Sequence, residues 1–255
     1  MSALQAIALL LAGLAAGTIN TIVGSGTLIT FPTLLFFGYP PLVANVSNTV
    51  GLVAGGVTGI HGYRAELDGQ GSNLRRLAPA SLLGAVTGAL LLLVLPAKAF
   101  ETIVPVLIGA AVVLVIAGPW LQAKAAARHT DTGHGRWGQV LLVGGVYLAG
   151  VYGGYFGAAQ GVLLVGIMSV LMTESLQRIN GFKNVLGTIV NAVAAITFII
   201  VARDQVDWAV AGLIAVGALM GGYVGAHVGR RLSPRALRAF IVVIGVTAIA
   251  KMVAG

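Results

Sequence analysis

The sequence contains no cysteine, which excludes disulfides, thiolate metal sites and cysteine nucleophiles. Charged residues are also scarce: only 9% of the 255 residues are Asp, Glu, Lys or Arg, whereas soluble domains contain about 25%. Hydrophobic residues make up 58% of the chain, more than a water-soluble fold of this length can bury. This composition predicts an all-α polytopic membrane protein.

Acidic residues are the scarcest charged class, and none of them lies in the middle of an apolar run. Cation-coupled carriers usually hold or relay their cation with an intramembrane carboxylate. The sequence therefore shows no proton or sodium site, although backbone carbonyls at a helix break are an alternative set of sodium ligands. The spacing of His, Asp and Glu indicates no metal site and no catalytic group, and we expect no cofactor.

The net charge of +8 arises from Lys and Arg residues that lie between the apolar runs or near their ends. Such residues set the orientation of membrane proteins, because loops rich in Lys and Arg stay in the cytoplasm. We therefore expect no nucleic-acid partner, and we expect the loops at 63–74, 122–138 and 230–235 to be cytoplasmic. The chain is expected to pass several times through a membrane, in contact with lipid.

Apolar runs predict about eight segments long enough to cross a bilayer, which requires about 20 residues each. Two further runs, 27–38 and 161–172, are too short to cross as ordinary helices. The long segments are expected near 4–23, 42–62, 75–95, 101–121, 139–157, 179–202, 208–229 and 236–254.

The chain repeats its own pattern. Each short run directly follows a glycine-rich break, Gly17–Gly26 in the first half and Gly150–Gly161 in the second. Gly24 matches Gly157 within the breaks, and Asn48 matches Asn184 after the short runs. Broken helices at corresponding places in two halves of an apolar chain are the sequence sign of a transporter binding site.

The two halves are predicted to be inverted repeats, 1–121 and 139–255, joined by a cytoplasmic connecting loop, 122–138. Each half contains five apolar elements, an odd number, so the halves cross the membrane in opposite directions. Inverted repeats are a common construction for alternating access.

The two breaks predict a binding site for a small anion. A helix that begins at a break directs unpaired N–H groups and the positive end of its dipole toward the site. Nearby hydroxyl and amide groups add donors, although such residues also serve close helix packing alone. Lys183 is either the partner of the anion or a side chain that snorkels to the interface. The predicted substrate-binding residues are Asn20, Gly24, Ser25, Gly26, Thr27, Asn45, Asn48, Gly157, Gln160, Gly161, Asn180, Lys183 and Asn184.

These stretches resemble the sulfite exporter TauE/SafE family of bacterial and archaeal membrane proteins. The resemblance rests on Gly17–Gly26, Pro32, Asn45–Asn48 and the region around Asn184, and it covers nearly the whole chain. It implies a permease of the cytoplasmic membrane that exports a small sulfur-containing anion, such as sulfite or the organosulfonate sulfoacetate. An anion channel and a cation-coupled importer of another small solute are the alternatives on the same scaffold. No oligomeric state is predicted.

Overall fold

The computed structural model describes residues 1–127, 136–228 and 234–254. Residues 128–135 of the predicted connecting loop and 230–233 of the predicted cytoplasmic loop lie outside this part of the chain. The described residues form α-helices and two short 3-10 turns, with no strand. The α-helices are α1 (Ala3–Ile22), α2 (Thr27–Phe36), α3 (Pro41–Gly62), α4 (Gly71–Val94), α5 (Ala97–Ala127), α6 (Arg136–Tyr155), α7 (Gln160–Leu171), α8 (Leu176–Val201), α9 (Trp208–Val228) and α10 (Pro234–Ala254).

Six helices are long and apolar enough to cross a membrane: α1, α3, α4, α5 as far as Trp120, α8 and α9. Helices α6 and α10 contain 20 and 21 residues, so the count of about eight long segments stays a prediction. Helices α2 and α7 contain only 10 and 12 residues and coincide with the two short runs. Helix α5 continues through residue 127 and so includes the first residues of the predicted connecting loop.

The two breaks end their helices with backbone conformations that L-residues rarely adopt. After α1, Gly24 has a φ of +87°, and after α6, Gly157 has a φ of +77°. Ala159 follows with a φ of 60°, directly before α7 begins. Because left-handed conformations interrupt the hydrogen-bond ladder of a helix, the chain reverses direction at both places.

Two glycine-lined seams bring helices into backbone contact. A Cβ atom on Gly221 of α9 would come within 3.0 Å of the Leu14 carbonyl oxygen of α1. A Cβ on Gly88 of α4 would come equally close to the Val151 carbonyl oxygen of α6. Small residues permit such close approach, which is a usual source of helix association in lipid.

The main packings between the two halves of the chain occur in matched pairs. Helix α1 packs on α9, and α6 packs on α4. Helix α2 contacts α10, and α7 contacts α5, while α3 and α8 pack on each other. Exchanging α1–α5 for α6–α10 therefore reproduces these packings.

The helix ends form two groups. The Gln70 side chain, before α4, donates a hydrogen bond to Glu174, before α8, at 3.1 Å. One groove joins the starts of α4 and α6 to the end of α7, and a cavity joins Asn180 of α8 to Arg238 of α10. We refer to these helix ends as the basic end of the protein. The arginines at this end include Arg64, Arg75, Arg76, Arg136, Arg178 and Arg238.

The glycine seam predicts that two glycine substitutions in α9 differ in their effect on the stability of the protein. Gly221→Ala should destabilise the protein by about 1–3 kcal/mol, because the new methyl group overlaps the backbone of α1. Gly212→Ala in the same helix is the matched control, since a Cβ there meets no atom within 4 Å. Thermal unfolding of the purified variants in detergent measures the difference. Equal stability of the two variants would contradict this account of the seam.

Candidate functional site

The two helix breaks meet at one point inside the protein. The Gly161 amide donates a hydrogen bond to the Gly24 carbonyl oxygen at 3.0 Å. A Cβ on either glycine would lie within 3.0 Å of the other's Cα, so neither position has room for a side chain. Helices α2 and α7 both begin at this contact, α7 runs to the basic end, and α2 runs to the opposite end.

The carbonyl ends of the broken helices are capped across the two halves. Lys183 of α8 donates from Nζ to the carbonyl oxygens of Asn20 at 3.1 Å and Thr21 at 2.7 Å. Asn45 of α3 donates from Nδ2 to the Tyr155 carbonyl oxygen at 3.0 Å. The last carbonyls of a helix lack intrahelical partners, so each half supplies the missing donor to the other. A cation caps α1, and a neutral amide caps α6.

Lys183 is buried inside the protein. Only 2% of its surface is exposed, and its ammonium group contacts the backbone at the end of α1. The snorkelling alternative for this side chain is therefore wrong.

A small cavity lies between the two breaks. It leaves about 30 Å³ for the centres of water molecules, and about 10–15 Å³ is enough to hold one water. None of the described residues that line it is acidic. The predicted residues in its wall are Asn20, Gly24, Thr27, Gly157, Gln160, Gly161, Lys183 and Asn184.

Two amide donors at this cavity have no partner in the described part of the chain. They are Nε2 of Gln160 and Nδ2 of Asn184, in side chains that are 4% and 7% exposed. The hydroxyl of Ser25, fully buried in the first break, is likewise unpaired. A buried polar group without a partner costs about 1–3 kcal/mol, so the unpaired amides of Gln160 and Asn184 favour an acceptor in the cavity.

The other predicted site residues lie outside the cavity wall. Asn48 accepts a hydrogen bond from Thr30 and donates to the Thr27 hydroxyl at 3.4 Å, which joins α3 to α2. The Gly26 amide donates to Asn20 Oδ1 at 3.4 Å. The residues placed elsewhere are Ser25, Gly26, Asn45, Asn48 and Asn180.

Six lining residues were not among those predicted. Thr188 and Asn191 follow Asn184 by four and seven residues in α8, so helical spacing was the signal that pointed to them. The glycines line the cavity because they have no side chain, and an isolated sequence carries no sign of that role. The six are Thr21, Gly55, Gly56, Gly187, Thr188 and Asn191.

Relatives of similar length are described as probable membrane transporters. YfcA of Escherichia coli K12 is 24% identical over 240 residues, 93% of this chain and 85% of the relative. ORF9 of Sinorhizobium is 26% identical over 258 residues, 96% and 91% of the two chains. A Haemophilus influenzae protein is 25% identical over 247 residues, 94% and 91%. Together with the apolar helices, these relatives indicate a multi-pass membrane transporter.

No solved structure is significantly similar to the chain. The family model described as "Sulfite exporter TauE/SafE" matches residues 9–252. This match includes both breaks, both short helices and the cavity between them. The chain therefore belongs to the sulfite exporter TauE/SafE family.

Proposed function

We propose that this protein exports a small sulfur-containing anion across the cytoplasmic membrane by alternating access. Sulfite and an organosulfonate such as sulfoacetate are the proposed substrates. The observation that carries the proposal is the cavity between the breaks. The starts of α2 and α7, Lys183 and the unpaired amides of Gln160 and Asn184 all line it. Helix N-termini and a buried cation both favour an anion.

The proposed anion binds between α7 and α8. Its oxygen atoms accept hydrogen bonds from Gln160 and Asn184, whose amide groups are buried and unpaired. Lys183 supplies positive charge from the same wall, with two of its three protons already directed at carbonyl oxygens. Thr27 and Asn20 are the donors on the side of α1 and α2. The small size of the cavity favours a substrate with few atoms.

Alternating access is proposed to use the two halves as inverted repeats, 1–121 and 139–255. The matched packings between the halves support this arrangement. The short helices also support it, because α2 and α7 leave their common starting point in opposite directions. A site between two such repeats opens to either side when one repeat rocks against the other.

Substitutions at Lys183 and Asn184 test the site. Lys183→Gln removes the charge, which at about 6 Å and an effective dielectric near 20 costs about 3 kcal/mol or less. We therefore expect up to about a hundredfold loss of sulfite affinity. Asn184→Ala removes a hydrogen bond to a charged group and should cost about 1.5–3 kcal/mol. Flux of labelled sulfite and sulfoacetate in proteoliposomes measures both effects.

Lys98→Gln is the matched control for the charge, because Lys98 is exposed near the start of α5 and does not line the cavity. It should transport sulfite with the affinity of the parent. If Lys183→Gln and Asn184→Ala, at normal abundance in the membrane, also transport both anions like the parent, the proposed site is wrong.

The orientation is tested with single cysteines in this cysteine-free chain. Loops rich in Lys and Arg stay in the cytoplasm, so the basic end is proposed to be cytoplasmic. Ser72→Cys at the basic end should resist a membrane-impermeant thiol reagent in intact cells. Ala97→Cys at the opposite end should react, and both positions are exposed. The reverse labelling pattern would overturn this orientation.

A further inference from the structure

A second cavity lies beside the two helix breaks, toward the basic end. Its wall includes Ile22, Val23 and Val162, which are chain neighbours of the central residues Thr21, Gly24 and Gly161. The walls of the two cavities therefore adjoin along the chain at both helix breaks. The second cavity is larger, with about 170 Å³ for the centres of water molecules.

The second cavity has a cation and an amide in an otherwise apolar wall. Arg238, near the start of α10, is half-buried there, and none of the described residues forms a hydrogen bond or ion pair with it. Asn180 of α8 lines the same space, one helical turn before Lys183. No acidic residue is present among the described residues of the wall. This combination suits a small anion.

The corresponding place at the opposite end is filled by aromatic rings. The repeat that matches Gly24 with Gly157 also matches Val23 with Phe156. Phe156 packs edge-to-face on Phe31 at 5.2 Å and on Phe100 at 6.2 Å between ring centroids, and all three rings are buried. The chain thus has a valine beside a cavity at one end and a packed phenylalanine at the other.

Arg238 itself corresponds to a member of that aromatic cluster. Helix α5 follows Pro96 directly, and α10 begins at Pro234. Aligning these two prolines matches Phe100, four residues later, with Arg238. The fifth helix of each half, α5 or α10, therefore carries one residue at the corresponding position. In α5 this residue is Phe100, whose ring belongs to the aromatic cluster. In α10 it is Arg238, whose guanidinium lines the second cavity.

We infer that this second cavity is an antechamber where a small oxyanion binds to Arg238 and Asn180 before it passes Val23 and Val162 to the central site. The inference rests on the proposed function. In the described structure, the path of the anion is then closed at the aromatic end, and the basic end is able to bind the anion. Passage toward the opposite side requires the cluster of Phe31, Phe100 and Phe156 to separate.

Charge-selective thiol labelling tests the antechamber without any need for transport. Val165→Cys places a thiol in its wall, and Leu176→Cys provides a second reporter if the first variant does not fold. Inside-out vesicles are treated with an anionic or a cationic methanethiosulfonate. We expect the anionic reagent to react faster, and we expect Arg238→Gln to lower the anionic-to-cationic rate ratio about tenfold.

Arg75→Gln is the matched control, since it removes the same charge from an exposed position at the basic end. It should leave the rate ratio unchanged. An equal fall in both variants would assign the effect to the general surface charge and overturn the antechamber. A ratio that does not respond to Arg238→Gln, or reporters that stay unreactive in inside-out vesicles, would overturn it as well.

The source of the anion is tested by the composition of the vesicles. In pure phosphatidylcholine, millimolar sulfite or sulfoacetate should slow labelling by the anionic reagent. If only added phosphatidylglycerol slows it, the cavity binds a lipid headgroup and the inference is wrong.

Export kinetics separate this inference from the proposed function. Arg238→Gln should raise the internal sulfite concentration for half-maximal export about tenfold, with the maximal rate unchanged. Normal kinetics in Arg238→Gln, together with impaired export by Lys183→Gln, would overturn the antechamber and retain the central site. If the parent exports neither anion, the proposed function fails, whereas the labelling ratio still reports whether Arg238 attracts anions into the cavity.

Discussion

A backbone hydrogen bond from Gly161 to Gly24 joins the two helix breaks, and the arrangement of the cavity depends on it. Because neither position has room for a Cβ atom, the breaks approach each other at backbone distance. The starts of α2 and α7 are thereby brought together, so their positive ends act on the same small volume. A side chain at either glycine would separate them.

The capping across the halves ties this contact to the rest of the bundle. Lys183 belongs to the second half but satisfies carbonyls of Asn20 and Thr21 in the first, while Asn45 does the reverse for Tyr155. Movement of one half against the other must therefore preserve or exchange these bonds. The two caps differ chemically, so the two halves of the site are not equivalent: the cap on α1 carries a charge, and the cap on α6 does not.

Much of this arrangement could be read from the sequence, since glycine spacing and apolar length determine where a helix breaks. The short helices and the positive φ angles of Gly24 and Gly157 follow from local rules. The partners of the polar residues do not, because they are set by contacts between distant segments. Spacing places Asn48 on a helix face, but only packing shows that it bonds to Thr27 and Thr30 rather than lining the cavity.

The cationic cap on α1 has an electrical consequence. If a monovalent anion binds beside Lys183 as proposed, the loaded site is close to neutral while the empty site carries one positive charge. A membrane potential, negative inside, would then act little on the outward step. It would instead drive the return of the empty site, by about 2.3 kcal/mol per 100 mV for a full crossing. In such a carrier, the voltage-dependent step would be the return of the empty site, and no coupling ion would be required.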